Sequence, residues 1–551
     1  MSRFCDNFDY MRASADVLVV GAGPVGLLLA CELQRLGVDH LLVEKAPERA
    51  YFCKAMGVTP RTLEIFEALG VVEQAIDAGV WLNGMTAFEN GVETESQDPP
   101  FEGLPYGFLA LPQYETERIL ESCLYRHGGS VQRGMTLANF TNAPEAIEAR
   151  VMDVAGAVHS IRCRWLVGCD GARSAVRKAL GLDFSGGKYP MTFMLGDVEL
   201  DWNLPRGRFY RFRHTVEGQM RNGMVAVPIR GSAGRYRLSL GAPEAMGDIH
   251  EGIGAEAGVQ PTLEQLAQVT RPMLPPGVQL SRLRWSSVYR ISHRIVPHYS
   301  VGRVFLAGDA AHIHPPIGGQ GMNTGLQDAH NLSWKLGLVA KGIATEQLLE
   351  SYSVERHPVG LDVVEQTSRA MGETMATGSM GRVGQVRESQ LFINYRSSAW
   401  VQDDVAQGAE KPGVPRAGDR APDATGLSRP FVAHRLRLRE WLERGHHVLI
   451  GYSEGNSTAS DQRTFAELVQ GTQKRLGGLT AGLALIASGT SFVEGEQIPV
   501  LSDQEDAFQK IYGARPGMVW LIRPDGHLAW RCDRADPQRL GRFLERYAPA
   551  A

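Results

Sequence analysis

The sequence has few cysteines, and they follow no pattern that would serve a disulfide framework or a metal site. The seven cysteines lie scattered along 551 residues, without a Cys-x-x-Cys pair or a Cys/His cluster. An odd total without such spacing argues against a network of structural disulfides and predicts that no metal is bound. Because this pattern is typical of the reducing cytoplasm, we expect a cytoplasmic protein.

An excess of charge of one sign and a membrane-spanning run are missing as well. The formal net charge is −4, which gives no positive field for nucleic acid or an anionic membrane. The first 14 residues carry acidic side chains before any apolar run, unlike a signal peptide. The apolar stretch over residues 17–33 contains glycines and a proline, which favours strand, turn and helix. We expect neither a nucleic-acid partner nor a membrane partner.

What is present is enough apolar sequence for several domains. Hydrophobic residues make up 43% of the chain, and at roughly 150 residues per domain we expect three or four domains. A strand, a glycine-rich turn, a helix and a second strand near the start predict an α/β fold with a doubly wound parallel sheet. The predicted domains are a Rossmann-like nucleotide-binding domain over 14–188, a β-rich domain over 189–298, the resumed nucleotide-binding domain with a helical segment over 299–410, and a last domain over 415–551.

The turn after the first predicted strand carries a dinucleotide-binding motif. Residues 21–26, which we call the glycine turn, read GAGPVG and match GxGxxG. Its glycines allow a tight turn, close approach of a pyrophosphate, and close packing of the helix that follows. An acid about twenty residues on ends the second strand, where it can accept hydrogen bonds from a ribose. The predicted cofactor-binding residues here are Gly21, Gly23, Pro24, Val25, Gly26, Glu44 and Lys45.

Three further segments resemble motifs of one enzyme family. Residues 169–182 (CDGARSAVRKALGL, the DG segment) resemble the DG motif of the single-component, class A FAD-dependent aromatic hydroxylases. Residues 302–323 (the GD segment) resemble their GD motif, and residues 111–120 resemble their glutamine-containing segment. The resemblance covers residues 16 to about 370 and is greatest to the phenol hydroxylase and 3-(3-hydroxyphenyl)propionate hydroxylase group.

The resemblance implies FAD as cofactor and assigns residues to it. Asp309 ends a strand and is expected to accept from a ribityl hydroxyl, while a helix beginning near Gly319 points amides at the flavin ring. Where the family usually has arginine, Lys54 keeps the charge but loses the planar fork. The cofactor-binding residues implied by the resemblance are Lys54, Gln113, Asp170, Gly308, Asp309, Pro316, Gly319, Gly321, Met322 and Asn323.

The resemblance also implies a reaction. NADPH or NADH reduces the flavin, O₂ is the co-substrate, and a flavin hydroperoxide oxygenates a small phenolic or other electron-rich aromatic substrate. No second GxGxxG motif in a strand-helix context provides a separate nicotinamide domain. Two alternatives stay open: an FAD monooxygenase that tailors or inactivates a polycyclic natural product by hydroxylation or Baeyer-Villiger insertion, and a non-catalytic flavin-binding protein.

Candidates for substrate contact come from the β-rich domain and the GD segment. Strand alternation places Tyr210 on one face and Arg211 on the other, and the sequence does not tell which face is inward. Together with Pro315 they are the predicted catalytic-site residues. His312 and His314 have an HxH spacing, but without a third ligand nearby they predict no metal site.

The last domain resembles the thioredoxin-like domain that phenol hydroxylases carry at the C-terminus. A redox-active version needs Cys-x-x-Cys after its first strand, whereas residues 447–456 contain no cysteine and Cys532 is alone. We therefore predict a redox-silent domain used for packing or for contacts in a homodimer.

Overall fold

The computed structural model describes residues 12–49, 51, 55–98, 104–243, 260–377, 386–406, 412–429, 431–453, 459–487 and 498–547. They form two compact units. The first unit comprises Met1–Cys31, Asp39–Ala329 and His357–Gln390, as far as these are described, and the second comprises Glu32–Val38, His330–Arg356 and Leu391–Ala551. No helix of the described residues is long and apolar enough to span a membrane.

The strands and helices are named in chain order. The strands are β1 (Ser14–Val20), β2 (His40–Glu44), β3 (Gly57–Val58), β4 (Val80–Leu82), β5 (Met85–Glu89), β6 (Val92–Gln97), β7 (Phe108–Ala110), β8 (Val131–Arg133), β9 (Thr136–Asn142), β10 (Ile147–Met152), β11 (Val158–Gly168), β12 (Ser185–Leu200), β13 (Phe209–Val216), β14 (Gln219–Pro228), β15 (Arg235–Gly241), β16 (Leu280–Ile295), β17 (Ser300–Val301), β18 (Val304–Leu306), β19 (His312–Ile313), β20 (Gln402–Asp404), β21 (His447–Ser453), β22 (Thr480–Ala487), β23 (Val500–Asp503), β24 (Val519–Ile522) and β25 (Leu528–Cys532). The helices are α1 (Pro24–Arg35), α2 (Pro60–Ala68), α3 (Val72–Ala78), α4 (Gln113–Arg126), α5 (Ala175–Ala179), α6 (Leu263–Thr270), α7 (Gln320–Ala340), α8 (Gln347–Thr377), α9 (Ala459–Arg475), α10 (Ala507–Tyr512) and α11 (Pro537–Leu544).

The first unit contains the predicted Rossmann-like sheet. Its strand order is β17-β18-β11-β1-β2-β8, and β1 lies between β11 and β2, parallel to both. The run from Val17 to Val20 is almost wholly buried, as expected for a parallel strand covered on both faces. Parallel strands end at the same edge of a sheet, so the glycine turn after β1 lies near the ends of β2, β11 and β18.

A second, largely antiparallel sheet has the order β19-β16-β12-β15-β14-β13-β5-β6. It differs from the predicted β-rich domain over 189–298 in two places. Strand β12 already begins at Ser185, and β5 and β6 join the sheet from a much earlier part of the chain, with β5 parallel to β13. Sequence alternation identifies strands but not their partners, so this recruitment was not foreseen. The four-part division of the chain stays a prediction.

The second unit is built on a mixed sheet of order β20-β25-β24-β21-β22-β23. Strand β21 is parallel to β22 and antiparallel to β24, and β24 and β25 form an antiparallel hairpin. At the start of helix α11 the Asp536 side chain accepts from the amides of Gln538 and Arg539, which caps the helix. The likeness to thioredoxin stays a prediction.

A buried ionic cluster also belongs to the second unit. Lys335 donates to Glu355 at 2.8 Å, and Arg523 donates to both oxygens of Glu355 at 2.7 and 2.9 Å. Arg523 also donates to Asp525 at 3.0 Å. Burial opposes ionisation of Glu355, but the charges of Arg523 and Lys335 lower its pKa to about 2. These contacts join parts of α7 and α8 to the hairpin of β24 and β25 within the second unit.

Candidate active site

The first unit contains a cavity of about 2170 Å³. The glycine turn, the end of β2, the DG and GD segments and one face of the second sheet contribute to its wall. A pocket for one drug-sized ligand measures about 300–1,000 Å³. The cavity therefore has room for a dinucleotide and a second, sizeable molecule.

The glycine turn is shaped so that its backbone borders the cavity. Gly21 has a φ of +103°, and a Cβ there would lie 2.5 Å from the carbonyl oxygen of Cys169. A Cβ on Gly26 would lie 1.9 Å from the Gly21 oxygen, whereas one on Gly23 would meet no atom within 4 Å. Glycine is thus required at positions 21 and 26 because a side chain would collide with the backbone there. At Gly23 the space beside the turn is open, which fits the predicted approach of a phosphate.

Glu44 stands at the end of β2 and lines the cavity beside Lys45. Its carboxylate accepts hydrogen bonds from the amides of Ala22 at 2.7 Å and Ala46 at 2.9 Å. These bonds hold the carboxylate against the glycine turn. Each carboxylate oxygen has two acceptor sites, so capacity is left for the hydroxyl groups of a ribose.

The GD segment makes a tight turn at the end of β18. Gly308 has a φ of +62° and donates its amide to the buried carboxylate of Asp328 at 3.1 Å. His312 shares the same carboxylate at 2.9 Å. This anchor leaves Asp309 exposed on the cavity wall. Sequence reasoning missed Asp328, because nothing in a helical sequence marks one acid as the partner of a turn.

The start of α7 follows the two prolines of the GD segment. Gly319, Gly321 and Met322 line the cavity, and Gly319 has a φ of +65°. Asn323 is fully buried: its amide nitrogen donates to the oxygens of Gly57 and Gly319, and its oxygen accepts from Thr59. The side chain of Asn323 thus fixes the helix start, and a contact with cofactor stays a prediction.

Two other predicted cofactor residues border the cavity with part of their polar atoms engaged. Gln113, at the start of α4, accepts from the amide of Ala55 at 3.2 Å and donates to Glu117 at 2.8 Å. Asp170 accepts from the amides of Ala175 and Val176, while its other oxygen is buried without a partner. Burial raises the pKa of Asp170. Lys54 lies outside the described residues.

The structure settles which face of β13 is inward. Tyr210 is fully buried in the hydrophobic core of the second sheet, and its hydroxyl donates to the carbonyl of Pro205 at 2.5 Å. Arg211 is on the opposite face and lines the cavity. The position of Tyr210 therefore gives no support to its predicted role as a substrate contact, because a core residue held by the backbone cannot reach the cavity.

The two prolines of the GD segment differ in their position relative to the cavity. Pro316 is one of the described residues that line the cavity, whereas Pro315 is buried and does not line it. The position of Pro316 fits its predicted place beside the cofactor, whereas that of Pro315 gives its predicted role no support; both roles stay predictions.

Residues that sequence reasoning had missed supply polar groups on the sheet face that lines the cavity. The hydroxyl oxygens of Ser239 on β15 and Tyr289 on β16 are 3.2 Å apart. Arg237 makes a two-pronged salt bridge with the buried Asp197. Burial raises the pKa of Tyr289. An isolated hydroxyl residue in an alternating strand gives no functional signal, which is why these residues were overlooked.

The HxH pair does not build a metal centre. Within the described part of the chain no group of three or more potential ligands gathers at one point. His312 is held by Asp328, and the ring of His314 lies parallel to that of His312. Burial, together with the neighbouring His312, lowers the pKa of His314 to about 4, so its imidazole is neutral at physiological pH.

Comparison with known proteins agrees with this geometry. Residues 14–367 match the family model described as FAD binding domain, and residues 414–551 match the one described as aromatic-ring hydroxylase, C-terminal. The fold is that of a flavin-dependent monooxygenase. Within this class the chain belongs to the FAD-dependent aromatic hydroxylases.

Relatives of similar length act on different aromatic compounds. The chain is 32% identical to the 6-methylpretetramide 4-monooxygenase of Streptomyces rimosus, over 96% of this chain and 93% of that protein. It is 29% identical to the pentachlorophenol 4-monooxygenase of Sphingobium chlorophenolicum, over 97% of each. A solved structure of aklavinone-11 hydroxylase with FAD and aklavinone superposes with a TM-score of 0.77 at 25% identity, covering 98% of this chain and 99% of that one.

Family membership confirms the chemistry that the motifs had predicted. The chain is an enzyme that uses FAD, a reduced nicotinamide nucleotide and O₂ to oxygenate an aromatic substrate. The structure supplies a matching site: a glycine cradle open at Gly23, the acceptor Glu44, and a partly unpaired Asp170. The second alternative, a non-catalytic flavin-binding protein, is not supported by these relatives.

Proposed function

We propose that the enzyme hydroxylates a polycyclic, phenolic substrate and that the sheet face around Ser239 and Tyr289 receives it. The observation that carries the proposal is the volume of the cavity, about 2170 Å³. A single-ring phenol would leave much of that space to water even beside a bound dinucleotide. Relatives named for 6-methylpretetramide and for aklavinone add support for the polycyclic alternative.

The cofactor assignments extend this proposal to individual residues. The glycine turn and the start of α1 receive the pyrophosphate, since the first amides of a helix and its dipole favour an anion. Glu44 accepts from the ribose hydroxyls, Asp309 from the ribityl chain, and the amides around Gly321 face the flavin ring. Gln113 and Asp170 border the same cavity. When bound, FAD supplies the activation of O₂ and the transfer of one oxygen atom.

The residues of the chain then bind and orient the substrate. Phe193, Leu195 and Val225 give an apolar surface on the cavity wall, which a flat aromatic ring system covers at the expense of water. The hydroxyls of Ser239 and Tyr289 offer both donors and acceptors to a phenolic oxygen. A hydrogen bond accepted from the phenol draws its proton away and makes the ring more electron-rich.

A single-ring phenol is the second candidate, because the relative named pentachlorophenol 4-monooxygenase matches over nearly the whole chain. The deciding experiment measures NADPH and NADH oxidation by the FAD-loaded enzyme with two sets of phenols, one monocyclic and one of three or four fused rings. Mass spectrometry then identifies the product. We expect only the fused-ring set to stimulate NADPH or NADH oxidation and to give a product 16 mass units heavier, which corresponds to the addition of one oxygen atom.

Coupled hydroxylation of monocyclic phenols alone would overturn the polycyclic proposal and favour the second candidate. A product 16 mass units heavier in which a ring ketone has become a lactone would instead indicate Baeyer-Villiger insertion. Two further proposals accompany the assignment: a cytoplasmic location and a homodimer. Light scattering of the purified protein tests the dimer, and a monomeric mass at micromolar concentration would contradict it.

A further inference from the structure

One face of β16 carries polar side chains that line the cavity without serving the substrate surface. Arg290, Ser292 and Arg294 alternate along the strand and therefore lie on the same face. Directly opposite on β12 stand Thr192, paired with Arg290, and Lys188, paired with Ser292. We call these five residues the β16 polar face.

This face is separate from the surface proposed for the aromatic substrate. Tyr289 and Ile291, the alternate residues of β16, pack in an apolar cluster with Leu195, Trp285 and Met371. Successive residues of a strand point to opposite sides of the sheet. Arg290 therefore points away from that cluster, and its role differs from that of Tyr289.

Arg290 is the residue that requires explanation. Its Nε is buried and has no hydrogen-bond partner, and no carboxylate among the described residues forms an ion pair with it. By contrast, Arg237 on the neighbouring surface donates two hydrogen bonds to Asp197. A half-buried guanidinium without a counter-ion is costly, and arginine is the side chain best suited to hold a phosphate or carboxylate. The hydroxyl of Thr192 across the strand pair adds a neutral donor.

The β16 polar face adjoins the DG segment. Arg177 of α5 donates to the carbonyl oxygens of Ala172 and Ala310, which ties the DG segment to the GD segment. Burial lowers the pKa of Arg177; the charge of Asp170 opposes this shift, and the like charge of Arg294 adds to it. An anion placed along this face relieves both the unpaired Arg290 and the repulsion at Arg294.

We propose that the β16 polar face binds a phosphate of the reduced nicotinamide dinucleotide while it reduces the flavin. The reaction requires this nucleotide, and the sequence contains no second GxGxxG motif in a strand-helix context to bind it. A guanidinium donates two parallel hydrogen bonds to phosphate, which gives both attraction and orientation. The proposal rests on the enzyme's use of a nicotinamide reductant and is independent of the identity of the aromatic substrate.

The test compares Arg290→Ala with Arg284→Ala, a variant on the same strand and of the same parity. Arg284 is half-exposed and lies 3.9 Å from Glu199, outside the described cavity wall. Calorimetry measures NADP⁺ binding to the FAD-loaded protein, and anaerobic mixing with NADPH gives the dissociation constant from the rate of flavin bleaching. We expect Arg290→Ala to weaken the binding of NADP⁺ and of NADPH by about tenfold or more. Arg284→Ala should weaken the binding of either nucleotide by less than about twofold. Arg290→Lys should recover part of the loss.

Three outcomes overturn the proposal. One is NADP⁺ affinity in Arg290→Ala equal to that of the parent, with the flavin spectrum unchanged. Another is equal weakening by Arg284→Ala, which would indicate a general field effect. The third is unchanged nucleotide binding together with weaker binding of a carboxylated aromatic substrate, which would assign the anion to the substrate. If Arg290→Ala does not fold, Thr192→Val applies the same test through the neighbouring hydroxyl, with a smaller expected loss of about threefold.

Discussion

Two groups of buried polar side chains in this protein differ in how completely they are paired. In the second unit, Lys335, Glu355, Arg523 and Asp525 are at most 2% exposed, and each carries at least one charge-assisted bond to another member. On the cavity wall of the first unit, an oxygen of Asp170 and the Nε of Arg290 are buried without any partner. The charges of the second unit are paired within the protein and stabilise its fold, whereas the cavity groups are those to which a ligand would supply a partner.

The physical reason is the cost of burying a polar group that makes no hydrogen bond, about 1–3 kcal/mol for each. The ionic cluster avoids that cost within the protein itself, so its removal should weaken the fold. The cavity groups avoid it only when a ligand supplies the missing partner, so their removal should weaken binding. Substitutions in the two groups should therefore change different measurements.

The largest effect is expected in the ionic cluster. Glu355→Ala removes the carboxylate shared by Lys335 and Arg523 and leaves two cations buried without it. We expect the free energy of unfolding to fall by about 3–5 kcal/mol. Urea unfolding followed by tryptophan fluorescence measures the change. The matched control is Glu365→Ala, since Glu365 is an exposed acid of the same helix. We expect this control to change the free energy of unfolding by less than about 0.5 kcal/mol. Equal effects of the two variants would refute the role of the cluster.

The same carboxylate predicts a pH dependence. Its pKa is lowered from 4.5 to about 2, so it stabilises the fold fully above pH 4.5 and loses that contribution as the pH falls toward 2. At 1.36 kcal/mol for each pKa unit, the loss is about 3 kcal/mol. Unfolding free energies between pH 5 and 2 should decrease by that much more in the parent than in Glu355→Gln. Parallel curves for the two proteins would contradict the prediction.

Two glycines of the same turn sharpen the comparison inside the first unit. A Cβ on Gly23 meets no protein atom within 4 Å, while one on Gly26 would lie 1.9 Å from the Gly21 oxygen. Gly23→Val should therefore leave the apoprotein's unfolding midpoint unchanged and weaken FAD binding by about 100-fold, because the side chain occupies the phosphate approach. Gly26→Ala should lower the unfolding midpoint of the apoprotein itself.

Fluorescence titration with FAD and thermal unfolding of the apoprotein distinguish these two results. Full flavin affinity in Gly23→Val would show that no phosphate approaches this turn. An unchanged midpoint in Gly26→Ala would show that the helix does not need the close approach to Gly21.

Local motifs made the nucleotide site predictable, because each is a short run whose geometry is set by neighbouring residues. The positions of Gly21, Glu44 and Asp309 on one cavity follow from strand ends that meet at the same edge of a parallel sheet. That Tyr210 is buried and Arg211 lines the cavity could not be predicted, because alternation gives two faces without saying which is inward. Asp328 and Ser239 were missed because their partners, Gly308 and Tyr289, are distant in sequence and come close only in the fold.

The smallest effect is expected at the hydroxyl pair of the substrate surface. Ser239→Ala removes one of two hydroxyls that are 3.2 Å apart and leaves the apolar wall in place. A neutral hydrogen bond is worth about 0.5–1.5 kcal/mol, so binding of a phenolic substrate should weaken by about 2- to 10-fold. The change in flavin absorbance on titration reports this affinity. The methyl ether of the same substrate has no proton to donate, although its oxygen still accepts, so Ser239→Ala should weaken its binding less than that of the phenol. A loss of the same size for phenol and ether would show that Ser239 acts through the shape of the wall. As a control, FAD affinity should stay unchanged in either case, because it depends on the other end of the cavity.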